Sequence, residues 1–440
     1  MKTLIACGKL FAATDVAALP DQLIVVKDAI IEQVGTLAEV AAAQHIETSG
    51  LDVRALANKM GARYVDLRHA FVTPGLIEGH AHIGMDPSLG MNAMMLSGGF
   101  GEIAVRAIKN AQADLMAGFT TVRDEGCFAY IDVDIRNLIA AGEISGPRLV
   151  VSGLAISSTG GHADVHFRPG VGAISFPEAH IAYVVDGADA ARAAARKTIK
   201  YGADVVKLMA TGGVLSSDAN MGSPDLALDE MRAACDIAHG HGKIVSAHAH
   251  GAQGIKDAIL AGVDSVEHGT LIDEEGCQLM AERNVTFIPT LVAHRRSVEK
   301  GQRGEIPSAW YQKACMADEH AAWGLSRLHE LGCPIGFGSD VGTSGNRHGE
   351  QAEEFSLMME RGSLSAAEAL LAATRVNAHM LGLADSIGTI ESGKTADIVA
   401  FAGDPLSDMR AMERCVFVMR NGAIYRHDAA PEMATAMRSL

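Results

Sequence analysis

Two histidines separated by a single residue, His80 and His82, follow a short apolar run that begins at Phe71. Alternate side chains of a β-strand lie on the same face, so both imidazoles would point the same way. Two imidazoles held side by side form half of a transition-metal site. Such a pair also occurs by chance on exposed strands, so the metal interpretation depends on the other histidines and acids of the chain.

Further polar side chains that could take part in catalysis stand at the ends of other apolar runs. They are Lys207, His248, His268 and Asp340. A single histidine is more often a hydrogen-bonded core or surface residue. That interpretation explains poorly why four histidines, a lysine and an acid all fall at the carboxyl ends of predicted strands. The pattern therefore predicts one shared site.

Lys207 is unusual because it interrupts the apolar run 204–210. Burial in such a run disfavours the charged form of a lysine. One interpretation is a strand-end lysine whose ammonium reaches solvent. The other is a neutral amine that captures carbon dioxide, so that the resulting carbamate bridges two metal ions as an additional carboxylate ligand.

The elements that would position these residues alternate between apolar, strand-like runs and segments with helical periodicity. The predicted strands are 72–83, 120–123, 148–156, 204–209, 244–248, 265–268, 286–290 and 335–340. The predicted helices between them include 101–117, 188–201, 228–241 and 252–261. Eight strands with intervening helices indicate the α/β class and a (β/α)8 TIM barrel. The connections 157–187 and 291–307 are unusually long and follow strand carboxyl ends, where the active sites of such barrels lie.

Short strands joined by tight turns occupy both ends of the chain. Residues 22–35 predict a hairpin, and the segment 37–60 is compatible with helix. Glycine turns separate further short strands after residue 388. We therefore predict a small composite β-sandwich domain from residues 1–70 and 386–440, and a barrel domain from residues 71–385.

Composition excludes several classes of function. The formal charge of −16 argues against nucleic-acid and anionic-membrane partners, which both require a basic surface. No apolar run approaches the roughly 20 residues that a membrane-spanning helix needs. Lys9 interrupts what would be the apolar core of a signal peptide, so the sequence predicts a cytoplasmic protein. The seven cysteines contain no Cys-x-x-Cys pair and are predicted to be reduced thiols.

Five motifs together resemble the amidohydrolase superfamily. They are Pro74-Gly-Leu-Ile-Glu-Gly-His-Ala-His, Lys207, Ala247-His-Ala-His-Gly, Glu267-His-Gly and Gly338-Ser-Asp340. The resemblance covers nearly the whole chain and includes the closing segment 388–399. In detail the motifs are similar to those of the binuclear branch that contains Xaa-Pro dipeptidases, related carboxypeptidases and ochratoxin-hydrolysing amidases.

The resemblance implies a role for each residue of these motifs. His80 and His82 would bind the more buried of two metal ions, and His248 and His268 would bind the second. Carboxylated Lys207 would bridge the two ions, which are expected to be Zn²⁺ or similar divalent cations. Asp340 would be a further ligand and the catalytic residue, taking a proton from the metal-bridging hydroxide and delivering it to the departing amine.

Candidates for substrate binding are less specific. His162, in the segment Thr159-Gly-Gly-His162, resembles a glycine-histidine segment that approaches the substrate in this branch. His250, His348 and Arg123 are further candidates, because a substrate carboxylate would favour an arginine or a protonated histidine. A purely structural role is equally compatible with each of these four. His166, Arg168 and His180 are weaker candidates that are compatible with an ordinary surface loop.

The resulting functional prediction is a metal-dependent amidase acting on dipeptides or N-acyl amino acids, ochratoxin-like amides included. The alternative enzyme is a mononuclear deaminase or an imidazolonepropionase-like hydrolase of cyclic amides, whose relatives lack the bridging lysine. A non-catalytic scaffold ranks last because every expected ligand is present. The expected partners are a small-molecule amide or dipeptide substrate and further copies of the chain in a homo-oligomer.

Overall fold

A computed structural model describes residues 1–89, 99–164, 181–215 and 220–428 of the chain. These residues form two compact units. The first contains Met1–Ile77, Asp114–Thr121 and the chain from Ser365, and the second contains Glu78–Ala113 and Val122–Leu364. The predicted domain boundaries at residues 70 and 386 stay a prediction, because a compact unit is not by itself an independent domain.

The first unit contains a seven-stranded sheet built from both ends of the chain. Its strands are β1 (Lys2–Leu10), β2 (Leu19–Lys27), β3 (Ile30–Gly35), β4 (Arg63–Pro74), β14 (Ile398–Phe401), β15 (Cys415–Arg420) and β16 (Ala423–His427). They are ordered β16-β15-β14-β4-β1-β2-β3. The antiparallel pairing of β2 with β3 confirms the predicted hairpin.

The helix-compatible segment after β3 forms two short helices, α1 (Leu37–Ala43) and α2 (Val53–Met60). Thr36 and Glu39 form a capping box at the start of α1, which satisfies two backbone groups that the helix itself cannot pair. Gly61 ends α2 in the left-handed conformation, with a φ of +61°. Both helices pack on one face of the sheet through residues such as Leu4, Val25 and Leu56.

Parallel strands carry the predicted chemistry. They are β5 (Leu76–Ala81), β6 (Phe119–Asp124), β7 (Arg148–Val151), β8 (Ala155–Ser158), β9 (Ala182–Val185), β10 (Val205–Met209), β11 (Ile244–Gly251), β12 (Ser265–Leu271) and β13 (Thr286–Ile288). One sheet has the order β13-β12-β11-β10-β8-β9, and a second has the order β5-β6-β7. Five of the eight predicted strands therefore coincide closely with single observed strands.

Helices follow most of these strands and cover the sheets. Within the described residues they are α3 (Phe100–Met116), α4 (Ile131–Ala140), α5 (Ala188–Lys200), α6 (Leu228–Gly240), α7 (Ala252–Ala261), α8 (Glu274–Arg283), α9 (Leu291–Gln302), α10 (Ser308–Glu330) and α11 (Glu353–Gly362). Two shorter helices, α12 (Ala366–Leu371) and α13 (Asn377–Met380), flank a π-helical turn at Ala372–Val376 in the first unit. The four predicted helices are confirmed to within one residue at each end.

Five segments of the predicted strand pattern were wrong in detail. The predicted strand 72–83 covers the end of β4 and the whole of β5, which belong to different sheets. The predicted strand 148–156 is divided into β7 and β8, because Gly153 adopts a φ of +62° between them. The predicted long connection 157–187 contains β9, and the predicted connection 291–307 is largely α9. The predicted eighth strand, 335–340, forms only isolated bridges, from Ile335 to Phe287 and from Val341 to Ala81.

Those isolated bridges still connect the two parallel sheets. The Gly336 N–H donates to the Phe287 carbonyl at the β13 side, and the Gly79 N–H donates to the Phe337 carbonyl at the β5 side. At the other end of the three-stranded sheet, the Asp204 N–H donates to the Val151 carbonyl at 2.7 Å. Separately, none of the helices in the described residues has the length and hydropathy needed to span a bilayer.

Candidate metal centre

The first group of candidate ligands consists of His80, His82 and Asp340, with one donor atom of each within 4.8 Å of the others. The two histidines stand at the carboxyl end of β5, as the sequence predicts. Asp340 Oδ1 lies 3.5 Å from His80 Nε2 and 3.3 Å from His82 Nε2. One carboxylate oxygen therefore faces the same ring nitrogen of both imidazoles.

Hydrogen bonds to the opposite ring nitrogens fix these imidazoles. His80 Nδ1 lies 2.8 Å from Glu267 Oε2, and His82 Nδ1 lies 3.2 Å from the Gly126 carbonyl oxygen. Because a carbonyl or carboxylate oxygen accepts, both Nδ1 atoms carry the hydrogen, and each Nε2 presents a lone pair towards Asp340. Glu78 supports the same strand by accepting the His80 N–H at 2.9 Å. Such outer partners orient metal-binding histidines.

The second group consists of His248, His250 and His268, and one donor atom of each again lies within 4.8 Å of the others. His248 and His250 alternate along β11, which runs parallel to β12 with Ala249 opposite His268. His268 Nδ1 lies 2.7 Å from Thr290 Oγ1, and His250 Nδ1 lies 2.7 Å from Thr270 Oγ1. His248 Nε2 is buried without a hydrogen-bond partner among the described residues. Hydroxyl groups thus orient the rings of His250 and His268.

Lys207 lies on β10 beside both groups and is 1% exposed. Its Nζ is 3.0 Å from Glu125 Oε2, and Ser246 Oγ donates to the same oxygen at 2.6 Å. Burial lowers the pKa of His80, His248 and His268 well below 6.5, and the charge of Lys207 adds to that effect at all three. The lysine is therefore electrostatically coupled to imidazoles of both groups.

Asp340 carries an ionised carboxylate despite its surroundings. Burial alone would raise its pKa, but the nearby His80, His82 and Lys207 lower that pKa below the ordinary value of 3.8. The carboxylate is therefore ionised at neutral pH and lies beside the Nε2 atoms of both histidines, where it can accept a proton.

Three residues of the centre adopt the left-handed backbone conformation that side chains other than glycine rarely take. His268 has a φ of +71°, Thr290 of +50° and Asp340 of +57°. Such residues cost of order 1–3 kcal/mol each and cluster at functional sites. Thr290 and His268 are also hydrogen-bond partners, so the backbone of both sides of that contact is constrained.

His162 is brought to the predicted site. Its ring stacks on that of His248, with the centroids 4.2 Å apart and the planes inclined by 9°. Burial lowers the pKa of His162 to about 4, with further contributions from Lys207 and Lys313. Its proposed contact with substrate stays a prediction, as does that of His250 within the second group.

The other two predicted substrate contacts have different surroundings. Arg123 is fully buried, and its guanidinium bonds Glu267 at 2.8 Å, Ser265 at 2.9 Å and the Gly79 carbonyl. These bonds give Arg123 a structural role and do not support the predicted contact with a substrate carboxylate. His348 Nε2 lies 3.3 Å from the His82 carbonyl oxygen, which places it behind the His80–His82 segment. The weaker candidates His166, Arg168 and His180 lie outside the described residues.

Sequence reasoning missed several residues that build the centre. Glu125 and Glu267 both pair with Arg123 in a fully buried network. Glu267 stands in one of the five motifs, but no role was predicted for it, and Glu125 lies two residues beyond the predicted strand 120–123. Lys313 and His294 gave no such signal, because both lie on helices rather than at strand ends.

The donor set fits divalent metal ions. Each group offers imidazole nitrogens, the first adds a carboxylate, and the unpartnered His248 Nε2 is a buried lone pair or N–H that requires a partner. Imidazole and carboxylate ligands suit Zn²⁺ and similar transition ions. The structure brings the predicted ligands into two groups beside a buried lysine, and the predicted assignment of these residues to two metal ions stays a prediction.

Several known proteins are similar to this chain in sequence or structure. A Xaa-Pro dipeptidase with methionine bound in its active site has a TM-score of 0.86 and 33% sequence identity, over 97% of this chain and 100% of that one. A prolidase complexed with N-methylphosphonate-L-proline has a TM-score of 0.84 and 29% identity, over 97% of this chain and 100% of that one. Ochratoxinase from Aspergillus niger is 29% identical over 373 residues, which are 80% of this chain and 75% of that protein.

The sequence model described as Amidohydrolase family matches residues 71–425, which include every candidate metal ligand. The resemblance predicted from the motifs, to the branch with Xaa-Pro dipeptidases and ochratoxin-hydrolysing amidases, is thereby confirmed. The chain belongs to the amidohydrolase family and is a hydrolase of that family.

Proposed function

We propose that this protein is a binuclear metal-dependent amidase that releases the carboxyl-terminal amino acid from dipeptides or N-acyl amino acids, ochratoxin-type amides included. The observation that carries the proposal is the buried Lys207, which is coupled to imidazoles of both ligand groups. A lysine at that position has a clear use if its amine is carboxylated, because a carbamate supplies an anionic ligand to two ions at once. The similar Xaa-Pro dipeptidase and ochratoxinase support this substrate class.

In this proposal His80 and His82 hold one divalent ion, Zn²⁺ in the first instance, and His248 and His268 hold the second. Carboxylated Lys207 is shared, and Asp340 completes the first group. When bound, such ions act as Lewis acids that acidify water and polarise a scissile carbonyl. The hydrogen bond from His80 to Glu267 and the one between His268 and Thr290 would keep the ligand rings in the orientation that metal binding needs.

Asp340 supplies the proton transfers. Its lowered pKa keeps it ionised at neutral pH, so it can accept a proton from the attacking water and return that proton to the departing amine nitrogen. Transfers of this kind contribute about 10²–10⁴-fold to rates. Its position between the Nε2 atoms of His80 and His82 keeps the carboxylate at the reacting centre.

The positively charged side chain of Lys313, near the second group, supports a substrate that carries a negative charge. Lys313 donates from Nζ to the Gly213 carbonyl at 3.0 Å, and its charge lowers the pKa of both His162 and His250, which burial has already lowered. Gly213 also packs directly on His162, since a Cβ there would lie 2.2 Å from that ring. We infer that Lys313 attracts the free carboxylate of the substrate, with His162 and His250 as neighbouring contacts.

The alternative, a mononuclear deaminase or imidazolonepropionase-like hydrolase, would use one histidine group and leave Lys207 as an amine. The second histidine group and the coupling of Lys207 to it favour the binuclear enzyme. One metal ion per chain and an uncarboxylated Lys207 would favour the alternative.

We also propose the finer architecture predicted from the sequence. The hydrogen bonds at Gly79, Gly336 and Asp204 support a closed (β/α)8 barrel. One hydrophobic cluster contains residues of β1, β2, β14 and β15, which supports a sheet folded into a sandwich. The cysteines, all of which are free, support a cytoplasmic enzyme. A homo-oligomer without nucleic-acid or membrane partners completes the proposal.

A library of dipeptides and N-acyl amino acids, supplied with zinc and bicarbonate, tests the function. We expect amino-acid release confined to a narrow set of carboxyl-terminal residues and dependent on metal. Protein that contains no metal as isolated and gains no activity with zinc would overturn the metalloenzyme proposal. Release of ammonia from a ring amine instead would establish the deaminase alternative.

A further inference from the structure

His294 is a buried histidine beside the centre that the proposed mechanism does not use. It lies in the first turn of α9 and is 3% exposed. The start of this helix is fixed by the buried Glu354, whose two carboxylate oxygens accept the N–H groups of Leu291 at 2.9 Å and Val292 at 2.7 Å. His294 is therefore held in place by a helix that is anchored one turn before it.

Neither ring nitrogen of His294 has a hydrogen-bond partner among the described residues. Ser297, one turn further along α9, is already bonded to the Ala293 carbonyl at 2.9 Å. A buried polar group without a partner costs about 1–3 kcal/mol and is rare in folded proteins. The other imidazoles around it, those of His250 and His268, have hydroxyl partners. His294 differs from these two in that neither of its ring nitrogens has a partner among the described residues.

The ring of His294 lies near two rings of the second group. Its centroid is 6.0 Å from that of His250 and 6.4 Å from that of His268. His294 belongs to neither group of candidate ligands. Burial lowers the pKa of His294 to about 4, opposed by the charges of Asp318 and Asp340. At neutral pH the ring is uncharged and offers one N–H and one lone pair.

We propose that His294 is a specificity-determining residue that hydrogen-bonds an uncharged polar side chain of the amino acid released by the enzyme. This inference rests on the amidase function proposed above. The ring of His294 lies 6.0 Å from that of His250, which is inferred above to lie beside the free carboxylate of the substrate, and this places His294 on the side of the released amino acid. A site whose buried polar group is left unpaired discriminates against a hydrocarbon side chain of the same shape.

Pairs of nearly isosteric substrates test the inference: N-acetyl-threonine against N-acetyl-valine, and N-acetyl-glutamine against N-acetyl-methionine. The variants are His294→Leu, which removes both nitrogens, and His294→Gln, which keeps an amide donor and acceptor. His320→Leu is the matched control, because His320 is an exposed histidine of α10. The readout is the ratio of kcat/KM within each pair, which cancels any loss of folded protein or bound metal.

We expect wild-type enzyme to prefer the polar member of each pair by about tenfold or more. His294→Leu should abolish or invert that preference, whereas His294→Gln and His320→Leu should retain it. Ratios that are the same in wild type and His294→Leu would overturn the inference while leaving the amidase function intact. A wild type that hydrolyses none of these compounds overturns the proposed function and the inference with it.

Discussion

The two ligand groups contain similar imidazoles but are held by different chemistry. In the first group, a carboxylate of Glu267 orients His80 and a second carboxylate, that of Asp340, faces both rings. In the second group, the hydroxyls of Thr270 and Thr290 orient the rings, and no carboxylate belongs to the group. The first group is thus anionic before a cation arrives, whereas the second is neutral.

The difference in charge between the two groups determines how metal binding at one would depend on the other. Hydrogen bonds to a charged partner are roughly twice as strong as those between neutral groups, so the first group is the better organised and the more attractive to cations. The second group gains negative charge only when Lys207 is carboxylated. We therefore expect the first group to fill with metal at lower concentration and the second to fill with carbon dioxide and metal together.

Replacing Lys207 with alanine should give the largest effect. Loss of the shared ligand removes the only anionic partner of the second group, and several kcal/mol of transition-state stabilisation correspond to a fall in kcat/KM of about 10³-fold or more. Zinc content should drop from two ions per chain to one, measured by elemental analysis. Lys243→Ala, at a partly exposed lysine outside the centre, is the control. A Lys207→Ala enzyme with two bound ions and normal rates would contradict the proposal that the second group depends on carboxylated Lys207.

Replacing Glu267 with glutamine should weaken the first group. Outer partners of metal-binding histidines contribute about 10–100-fold to metal affinity, and the charged partner of His80 should lie near the upper limit. Competition with a chromogenic chelator measures this affinity. Glu267 also pairs with Arg123, so folding is checked by circular dichroism. An unchanged affinity for metal in folded Glu267→Gln protein would show that the charge of this carboxylate does not contribute to metal binding.

Acid should destabilise the metal-free protein first through its imidazoles. The pKa of His294 is about 4 in the folded protein and near 6.5 when unfolded, so the unfolded chain binds more protons as pH falls from 6.5 towards 4. Stability is fully retained above 6.5 and falls by about 1.4 kcal/mol per pH unit below it for each such group. Asp340, whose pKa is lowered, should respond only below 3.8.

Urea unfolding of the metal-free protein at pH 7 and pH 5 measures this loss. His294→Leu should lose about 2 kcal/mol less than wild type between these two pH values, since its side chain does not titrate. An equal loss in both proteins would mean that His294 is already protonated, or is exposed, in the folded state.

Replacing Thr290 with valine should weaken the second group less than Glu267→Gln weakens the first. The change removes the hydroxyl that holds His268 while keeping the branched shape, and we expect about a tenfold loss of affinity for the second ion. The same chelator titration, run in bicarbonate buffer, gives this number. A loss greater than that in Glu267→Gln would reverse the proposed ranking of the two groups.

Replacing Lys313 with methionine should have the smallest effect, because this side chain is partly exposed. KM for N-acyl amino acids should rise about fivefold with little change in kcat. The corresponding carboxamide substrates, which lack the charge, should be unaffected. A change in kcat alone would assign Lys313 to a role other than attraction of the substrate carboxylate.

The ligand positions were predictable because they follow from a local rule. Side chains at the carboxyl ends of parallel strands converge, and the register that pairs Met209 with His248 brings the Lys207 strand beside the His248 strand. Two residues on alternate positions of one strand, such as His80 and His82, need no tertiary information at all.

The supporting residues were not predictable because their partners are distant in sequence. Arg123 carries the charge expected of a residue that binds a substrate carboxylate. Its pairing with Glu267, 144 residues away, instead supports a structural role. The start of α9 likewise depends on Glu354, 62 and 63 residues beyond the helix N–H groups that it accepts. Sequence periodicity therefore predicted a long loop where this helix lies, and His294 was not among the candidate residues.

The left-handed backbone at His268, Thr290 and Asp340 has a consequence for engineering. Glycine adopts this conformation without a steric penalty, so a glycine at any of the three would relieve backbone strain while removing a side chain that the centre requires. The strain at these codons is therefore a local form of the stability–activity trade-off, because the residue types that the proposed chemistry needs are not the ones that the backbone favours. Screens of this enzyme should select for turnover and thermal tolerance in the same round.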